Sequence, residues 1–421
     1  MSSDVEPEPS CSDARDPTAL SVDQARLRIL DAVQPVAFRQ KVPLRDALGR
    51  ILAEPIVSPV QVPSHTNSAM DGYALAGADL PQQGTRELTV IGQVLAGHVF
   101  DGQIQPGQCV RIMTGASMPV GADTVIMQEQ ARVVGDQIRI GDRHRPGQNV
   151  RHAGEDLDIG DRVLEPGRTL IPADLGLLAS LGIGEVRVLR RPRVAFFSTG
   201  DELRSLGEPL RDGDVYDSNR YTLYGMLKRL GLEILDMGVV PDDPTPMEEA
   251  LKQAAAAADV VITSGGVSVG EADFIKGLLE TLGDMDFWKI AMKPGRPLTF
   301  GRLQNALFFG LPGNPVAVMV TFYQFVRPAL LKLKGERHVL PLELNAVCTT
   351  GLPKRPGRAE FVRGVMAAAD DGALEVTTTG KQGSGILRSM SMANCFIVLP
   401  PRSGDVQPGD LVRVQPFASM I

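Results

Sequence analysis

Between Arg193 and Gly335 the chain alternates short, almost wholly apolar runs with amphipathic ones, and this constrains the fold more than any other feature. RVAFFST, LEILDMGVV, DVVITSG, FWKIAM and ALFFGL read as strands. NRYTLYGMLKRLG, PMEEALKQAAAAA, DFIKGLLETLG and PVAVMVTFYQFVRPALLKL read as helices. A strand that is apolar along its length is covered on both faces. The expected architecture over 191–335 is therefore a three-layer α/β domain with a mostly parallel sheet.

The remaining segments follow other rules. Residues 1–17 are polar, acidic and proline-bearing, as in a disordered tail. VDQARLRILDAV and LRDALGRILA show helical spacing, and a further helix is expected from about Pro172 to Leu181. Between them, 59–150 breaks into short β-like runs such as ELTVIGQVLAG and DTVIMQEQARVV. This β-rich block is expected as an insertion in an elongated mixed domain built from 18–58 and 151–190. After Gly335 the runs shorten again, and 336–421 is expected to form a C-terminal, barrel-like β domain. The fold class is thus multidomain, α/β plus β.

Composition excludes several function classes. A net charge of −7 disfavours nucleic acid and acidic membrane surfaces as partners. Without a membrane-length apolar run or a signal-like start, a cytoplasmic location is expected. Cys11, Cys109, Cys348 and Cys395 are far apart, as are His65, His98, His144, His152 and His338, so no zinc cluster is expected. Any acting metal should be magnesium, held by carboxylates.

Ligands of parallel α/β sheets settle beyond the carboxyl ends of the strands. There the sequence places STGDEL, with Ser198, Thr199 and Glu202, and PDD, with Asp242 and Asp243. The third loop carries Ser264, Gly265, Gly266, Ser268, Glu271 and Asp273. KPGRP supplies Lys293 and Arg296, with Lys289 just before it, and LPGNP supplies Gly313, Asn314 and Pro315. One acid here would be an ordinary helix cap. Three acidic strand ends in one crevice repel one another unless a divalent cation or the basic loop offsets them. Glycine turns leave amides free for an oxyanion. A magnesium-bridged phosphate ester or anhydride is the expected ligand. No G-x-G-x-x-G follows the first strand, and no G-K-[ST] occurs, which excludes dinucleotide and P-loop readings.

TSGGVSVGEADF, STGDEL, KPGRP and GLPGNPV, preceded by NSAMDGYA (67–74) and RIMTGA (111–116), resemble the MoeA family of molybdopterin molybdenumtransferases, related to the gephyrin E domain. The resemblance runs from about residue 20 to the end. It implies insertion of molybdate into adenylylated molybdopterin with release of AMP, the last step of molybdenum cofactor assembly. It also implies a magnesium requirement, an elongated homodimer joined through the mixed domain, and a separate adenylyltransferase as partner.

By the same resemblance the catalytic residues are Asp71, Thr114, Asp156, Glu202, Asp242 and Asp273. Glu202, Asp242 and Asp273 would hold the metal. Lys289 and Lys293 would balance oxyanion charge, and Arg363 in RAEFVRG and Ser384 in KQGSG would meet molybdate. Asp71, Thr114 and Asp156 would reach the crevice across a domain or dimer boundary. From the residues alone, Asp71 also fits a turn with Gly72, Thr114 the close of a strand, Lys289 a snorkelling strand residue, Arg363 a surface strand residue, Ser384 a turn residue, and Asn314-Pro315 a helix start. Thr66, His152 and Ala153 depart from the family pattern. A non-catalytic, dimeric scaffold of gephyrin type is the alternative function.

Overall fold

The computed structural model describes residues 18–265 and 273–417. The chain forms two compact units: Met1–Gln40 with Leu189–Ile421, and Lys41–Val188.

The first unit is organised by a six-stranded sheet. Its order is Glu233–Val240, Arg193–Thr199, Val260–Ser264, Ala306–Leu311, Pro297–Leu303 and Gly283–Lys289. The first four are parallel and the last two antiparallel. Strand alternation explains the near-continuous apolar runs. Phe196, Ile262 and Phe309 share one core, whereas Phe197, Val261 and Phe308 share the core on the opposite face. Helices Pro244–Ala257 and Asp273–Leu282 cover the second face. Helix Ser218–Arg229 and the long helical run Pro315–Lys334 cover the first. That run is apolar enough to cross a membrane, but 78% of its most apolar 18-residue window is buried, as in a core helix.

Three local expectations are corrected. FWKIAM is not one strand: pairing ends at Lys289, and Met292–Lys293 pairs instead with Ala359–Glu360. Strand Pro297–Leu303 escapes sequence reading because its proline and Gly301 suppress the signal. Gly301 is required there, since a Cβ would lie 2.1 Å from the Asp284 carbonyl oxygen. LRDALGRILA forms only the short turn Leu44–Ala47, broken at Gly49, whose φ is +70°.

The N-terminal helix Val22–Ala32 packs against the α/β core through Val22, Ala25 and Ile29, not with 151–190. Its docking compensates a defect in the long helix. Pro328 cannot donate to the carbonyl four residues back, and its ring crowds that carbonyl. The helix responds with a widened π turn over Phe322–Val326, and the Gln324 carbonyl accepts instead from Arg26 Nε at 3.2 Å. Arg26 also donates to Gln324 Oε1 at 2.8 Å, and Gln324 Nε2 donates to Gln415 Oε1 at 2.7 Å in the C-terminal domain.

That domain is a closed five-stranded barrel of Ala359–Ala368, Leu374–Thr378, Leu344–Cys348, Leu411–Pro416 and Cys395–Leu399, the last pairing back to the first. Closure leaves no free edge. Phe361, Phe396 and Val398 join the α/β core, so barrel and sheet share packing with the long helix.

In the second unit, Val42, Ala47 and Leu52 pack with Leu164, Leu178 and Val188, so segments either side of the β block share one core. The block itself is a six-stranded sheet ordered Thr124–Met127, Gly72–Leu75, Gln108–Ile112, Thr85–Val94, Gln137–Gly141 and Ala131–Val134.

Replacing Arg26 by Met removes this donor from the Gln324 carbonyl and should cost about 1–3 kcal/mol in urea unfolding of the first unit. The cost should shrink in a Pro328→Ala background, where residue 328 regains an N–H to donate to that carbonyl. Equal costs in both backgrounds would show that Arg26 does not compensate the proline.

Candidate active site

The carboxyl ends of the parallel strands are drawn together by close backbone approach. Gly265, at φ +96°, sits where a Cβ would lie 2.3 Å from the Thr199 carbonyl oxygen, and a Cβ on Gly313 would be 4.0 Å from Gly265 Cα. A side chain at Gly265 would push these strand ends apart, whereas Gly313 lies at ordinary contact distance. Asn219, in the first turn of helix Ser218–Arg229, ties the same ends through Nδ2, which donates to Ser264 Oγ at 2.9 Å and to the Gly313 carbonyl at 2.7 Å.

Around this contact lie polar atoms that the fold does not satisfy. Ser198 Oγ, Asp217 Oδ2 and Asn219 Oδ1 are buried and without a hydrogen-bond partner among the described residues. Ser198 is the register neighbour of Ser264, and Asp217 caps the helix that bears Asn219. An unpartnered buried acceptor is costly. Asp217 reads from sequence only as a cap, and Asn219 escapes notice. The run Asp217-Ser218-Asn219 at a helix start is the signal that could have found both.

The acidic side gathers on the turn after the first strand. Thr199 Oγ1 donates to the Asp242 carboxylate, and the Asp242 amide reaches Asp201 Oδ1 at 3.4 Å. Gly200, at φ +153°, is overlain by the Glu202 carboxylate, whose oxygens would lie 2.6 and 2.8 Å from a Cβ there. Glu202 and Asp242 are thus brought to one turn. Asp243 is occupied differently, capping helix Pro244–Ala257 through the Thr245 amide at 3.0 Å. Gly266, Ser268 and the side chain of Asp273 lie outside the described residues. Among the described residues no group of three or more His, Cys, Asp or Glu gathers as a metal cage.

The basic side is built where the barrel meets the long helix. Val316, just past Asn314 and Pro315, donates its amide to the Ser384 carbonyl at 3.1 Å. Asn314 occupies the N-cap without a side-chain cap hydrogen bond. The neighbouring Gly383 carbonyl accepts from Arg363 Nη2 at 3.1 Å, and Arg363 Nε donates to Ser389 Oγ, also at 3.1 Å. Arg363 is 1% exposed and is not a surface residue. Burial brings its guanidinium down to about 10. Its partners among the described residues are neutral oxygens, so the charge remains available to an anion. Gly295 of KPGRP packs on the long helix, where a Cβ would lie 2.5 Å from Thr321 Oγ1. Lys293 approaches Glu360 at 3.9 Å, and Lys289 ends its strand, with its carbonyl accepting from Leu20. Buried Lys354 donates to the Arg355 and Arg358 carbonyls at 2.7 and 2.8 Å.

The remaining predicted residues belong to the second unit. Asp71 Oδ1 accepts from both the amide and the hydroxyl of Thr114, each at 2.7 Å. The Thr114 amide first, and then its hydroxyl, hold the Asp71 carboxyl below its ordinary value. Asp156 donates its amide to the Val62 carbonyl at 3.0 Å. The sequence departures meet nearby, where the Ala153 amide donates to Thr66 Oγ1 at 3.3 Å.

Comparison with known proteins agrees with this layout along the whole chain. Residues 20–182 match the MoeA N-terminal region (domains I and II), 195–332 a probable molybdopterin binding domain, and 345–417 the MoeA C-terminal region (domain IV). The molybdopterin molybdenumtransferase of Haemophilus influenzae is 46% identical, covering 96% of this chain and 100% of its own length. Gephyrin of Dictyostelium discoideum is 34% identical, covering 93% of this chain but 61% of its own length. The crystal structure of the molybdopterin biosynthesis moeA protein of Pyrococcus horikoshii superposes with a TM-score of 0.83 at 32% identity, covering 95% of this chain and 100% of that one. The chain belongs to the MoeA family.

Proposed function

We propose that the protein is a molybdopterin molybdenumtransferase, which inserts molybdate into adenylylated molybdopterin and releases AMP. The observations that support this reading are the acids Glu202 and Asp242 at the turn after strand Arg193–Thr199 and, in the barrel, the buried Arg363 guanidinium, whose hydrogen-bond partners among the described residues are neutral oxygens. The relative from Haemophilus influenzae, named for this activity, is similar over its full length. A non-catalytic scaffold of gephyrin type is less favoured, since a scaffold needs neither an acid pair nor a buried cation.

The crevice groups divide the labour. The glycine turns at Gly265 and Gly313, with the helix start at Asn314-Pro315, hold phosphate oxygens by backbone amides. The buried acceptors of Ser198, Asp217 and Asn219 orient the pterin by its N–H groups. Arg363, with Ser384 beside it and Lys289 and Lys293 nearby, attracts molybdate as substrate. Glu202 and Asp242, with Asp273, would hold magnesium, because carboxylate oxygens on one turn suit a hard cation. When bound, that ion neutralises the phosphoanhydride. Asp71, Thr114 and Asp156 are assigned to catalysis on their family motifs, with Asp71 kept ionised by Thr114. We further propose a homodimer, cytoplasmic, that receives its substrate from a separate molybdopterin adenylyltransferase.

Three measurements test this. Asp242→Asn should slow AMP release from adenylylated molybdopterin, with molybdate and magnesium present, by about a hundredfold or more. Wild-type rates would remove Asp242 from the site. Arg363→Gln should raise the KM for molybdate by about tenfold or more while leaving binding of the adenylylated pterin intact. An unchanged KM would remove Arg363 from the molybdate site. In an NMR titration Asp71 should ionise below the ordinary carboxylate range. Thr114→Val should move it partway up, since the amide hydrogen bond persists and only the hydroxyl is lost. No movement would mean that the hydroxyl does not hold the carboxylate.

A further inference from the structure

The second unit contains an open cavity of about 530 Å³, lined by Gln130, Arg143, His144, Arg145, Gln148 and Asn149 among others, with no carboxylate in its lining. Its wall is the loop between strands Gln137–Gly141 and Val150–Arg151, and this loop is tightly pinned. The Gly147 amide donates to Thr124 Oγ1 at 3.0 Å, and Asn149 Nδ2 donates to the Val125 carbonyl at 3.0 Å. Asn149 adopts φ +57°, a conformation that costs a non-glycine residue free energy and persists here because both ends of the residue are held.

The pinning also sets the character of the donors. Gln148 Oε1 accepts the Arg145 amide at 3.1 Å, so its other terminus is the amide nitrogen. That nitrogen lies 3.1 Å from His144 Nδ1 and donates to it. Burial holds the His144 imidazole below its ordinary value, so the ring is neutral near pH 7. With Nδ1 accepting, its proton sits on Nε2, which makes the free ring nitrogen a donor. Neither Arg143 nor Arg145 has an ion pair or side-chain hydrogen bond among the described residues, and no acid in the lining offsets them. Two guanidiniums two residues apart repel each other unless an anion lies between them.

We propose that this cavity binds a tetrahedral oxyanion, either free or carried as a phosphate monoester. Planar guanidiniums match phosphate oxygens in paired contacts. The volume falls within the range of small-molecule sites, so a phosphorylated metabolite fits as well as a bare ion. The inference rests on the second unit alone and does not depend on the transferase reading.

The test is site-specific. Imidazole resonances of the full-length protein are followed in titrations with inorganic phosphate and, separately, with AMP, the His144 signal being assigned by its loss in His144→Gln. Saturable movement of the His144 signal is expected with at least one probe. An Arg143→Ala/Arg145→Ala variant with an unchanged melting curve should weaken that binding about tenfold or more. Tighter binding of AMP than of phosphate identifies the ester as the ligand, and equal binding identifies the free oxyanion. Failure of both probes to move the His144 signal at about 10 mM, or equal binding by the double variant, overturns the proposal. A substituted protein that melts early is replaced by Arg143→Gln/Arg145→Gln, read in the same way.

Discussion

A proline in the middle of a buried helix is the constraint on which the first unit turns. The run Pro315–Lys334 must cover one face of the sheet and also support the barrel, because Phe309, Phe325 and Phe396 belong to one continuous core. Pro328 removes a backbone donor from that core, where an unsatisfied carbonyl would cost about 1–3 kcal/mol. The N-terminal helix is therefore more than a cover. Through Arg26 it supplies the donor that the long helix lacks, and through Gln324 and Gln415 the same polar chain continues into the barrel. Three segments remote in sequence are thereby fixed relative to the first turn of the long helix. That turn places Gly313 and Asn314 at the crevice and brings the Ser384 carbonyl against Val316.

This rigidity matters because the crevice separates charges that would otherwise collapse onto one another. Glu202 and Asp242 gather on the turn after the first strand, whereas Arg363 is anchored in the barrel by Ser389 and the Gly383 carbonyl. Had these groups sat on flexible loops, a carboxylate would reach the guanidinium and neutralise it. Neutral partners for Arg363 are also the reason that burial lowers its affinity for the proton. The protein bears that desolvation cost where an incoming anion can offset it.

Much of this fold was legible in the sequence, and the failures have physical causes. Three of the four parallel strands announced themselves because burial on both faces demands apolar residues at nearly every position, whereas the edge strand Glu233–Val240 is mostly exposed or half-buried. Strand Pro297–Leu303 did not, since its close approach to Asp284 requires a glycine and its start carries a proline. Helix Val22–Ala32 was visible as a helix, but its neighbour was not. Apolar periodicity reveals a sticky face without naming what it sticks to. The site followed the same division. Glu202, Asp242, Gly265 and Gly313 were nominated because ligand crevices lie at strand ends, and the structure puts all four at such ends. Asn219 was missed because its role is to join Ser264 to Gly313 across long stretches of chain, and no local pattern encodes that join. Arg363 read equally well as a surface residue until the barrel enclosed it.

The buried Arg363 and the Arg143–Arg145 pair differ in a way that bears on selectivity. Arg363 is held by its own barrel in one orientation, so an anion meeting it finds a fixed charge and must conform to it. Arg143 and Arg145 stand on a pinned loop, but their guanidiniums have no anchors of their own among the described residues. A fixed cation pays its ordering entropy during folding and can discriminate between oxyanions of different size. An unanchored pair pays that entropy on binding, at about 0.5–1.5 kcal/mol per side chain, and tolerates more shapes. A charge fixed in one orientation, as at Arg363, suits strict discrimination. The second unit's cavity, by the same reasoning, is suited to accepting a class of anions.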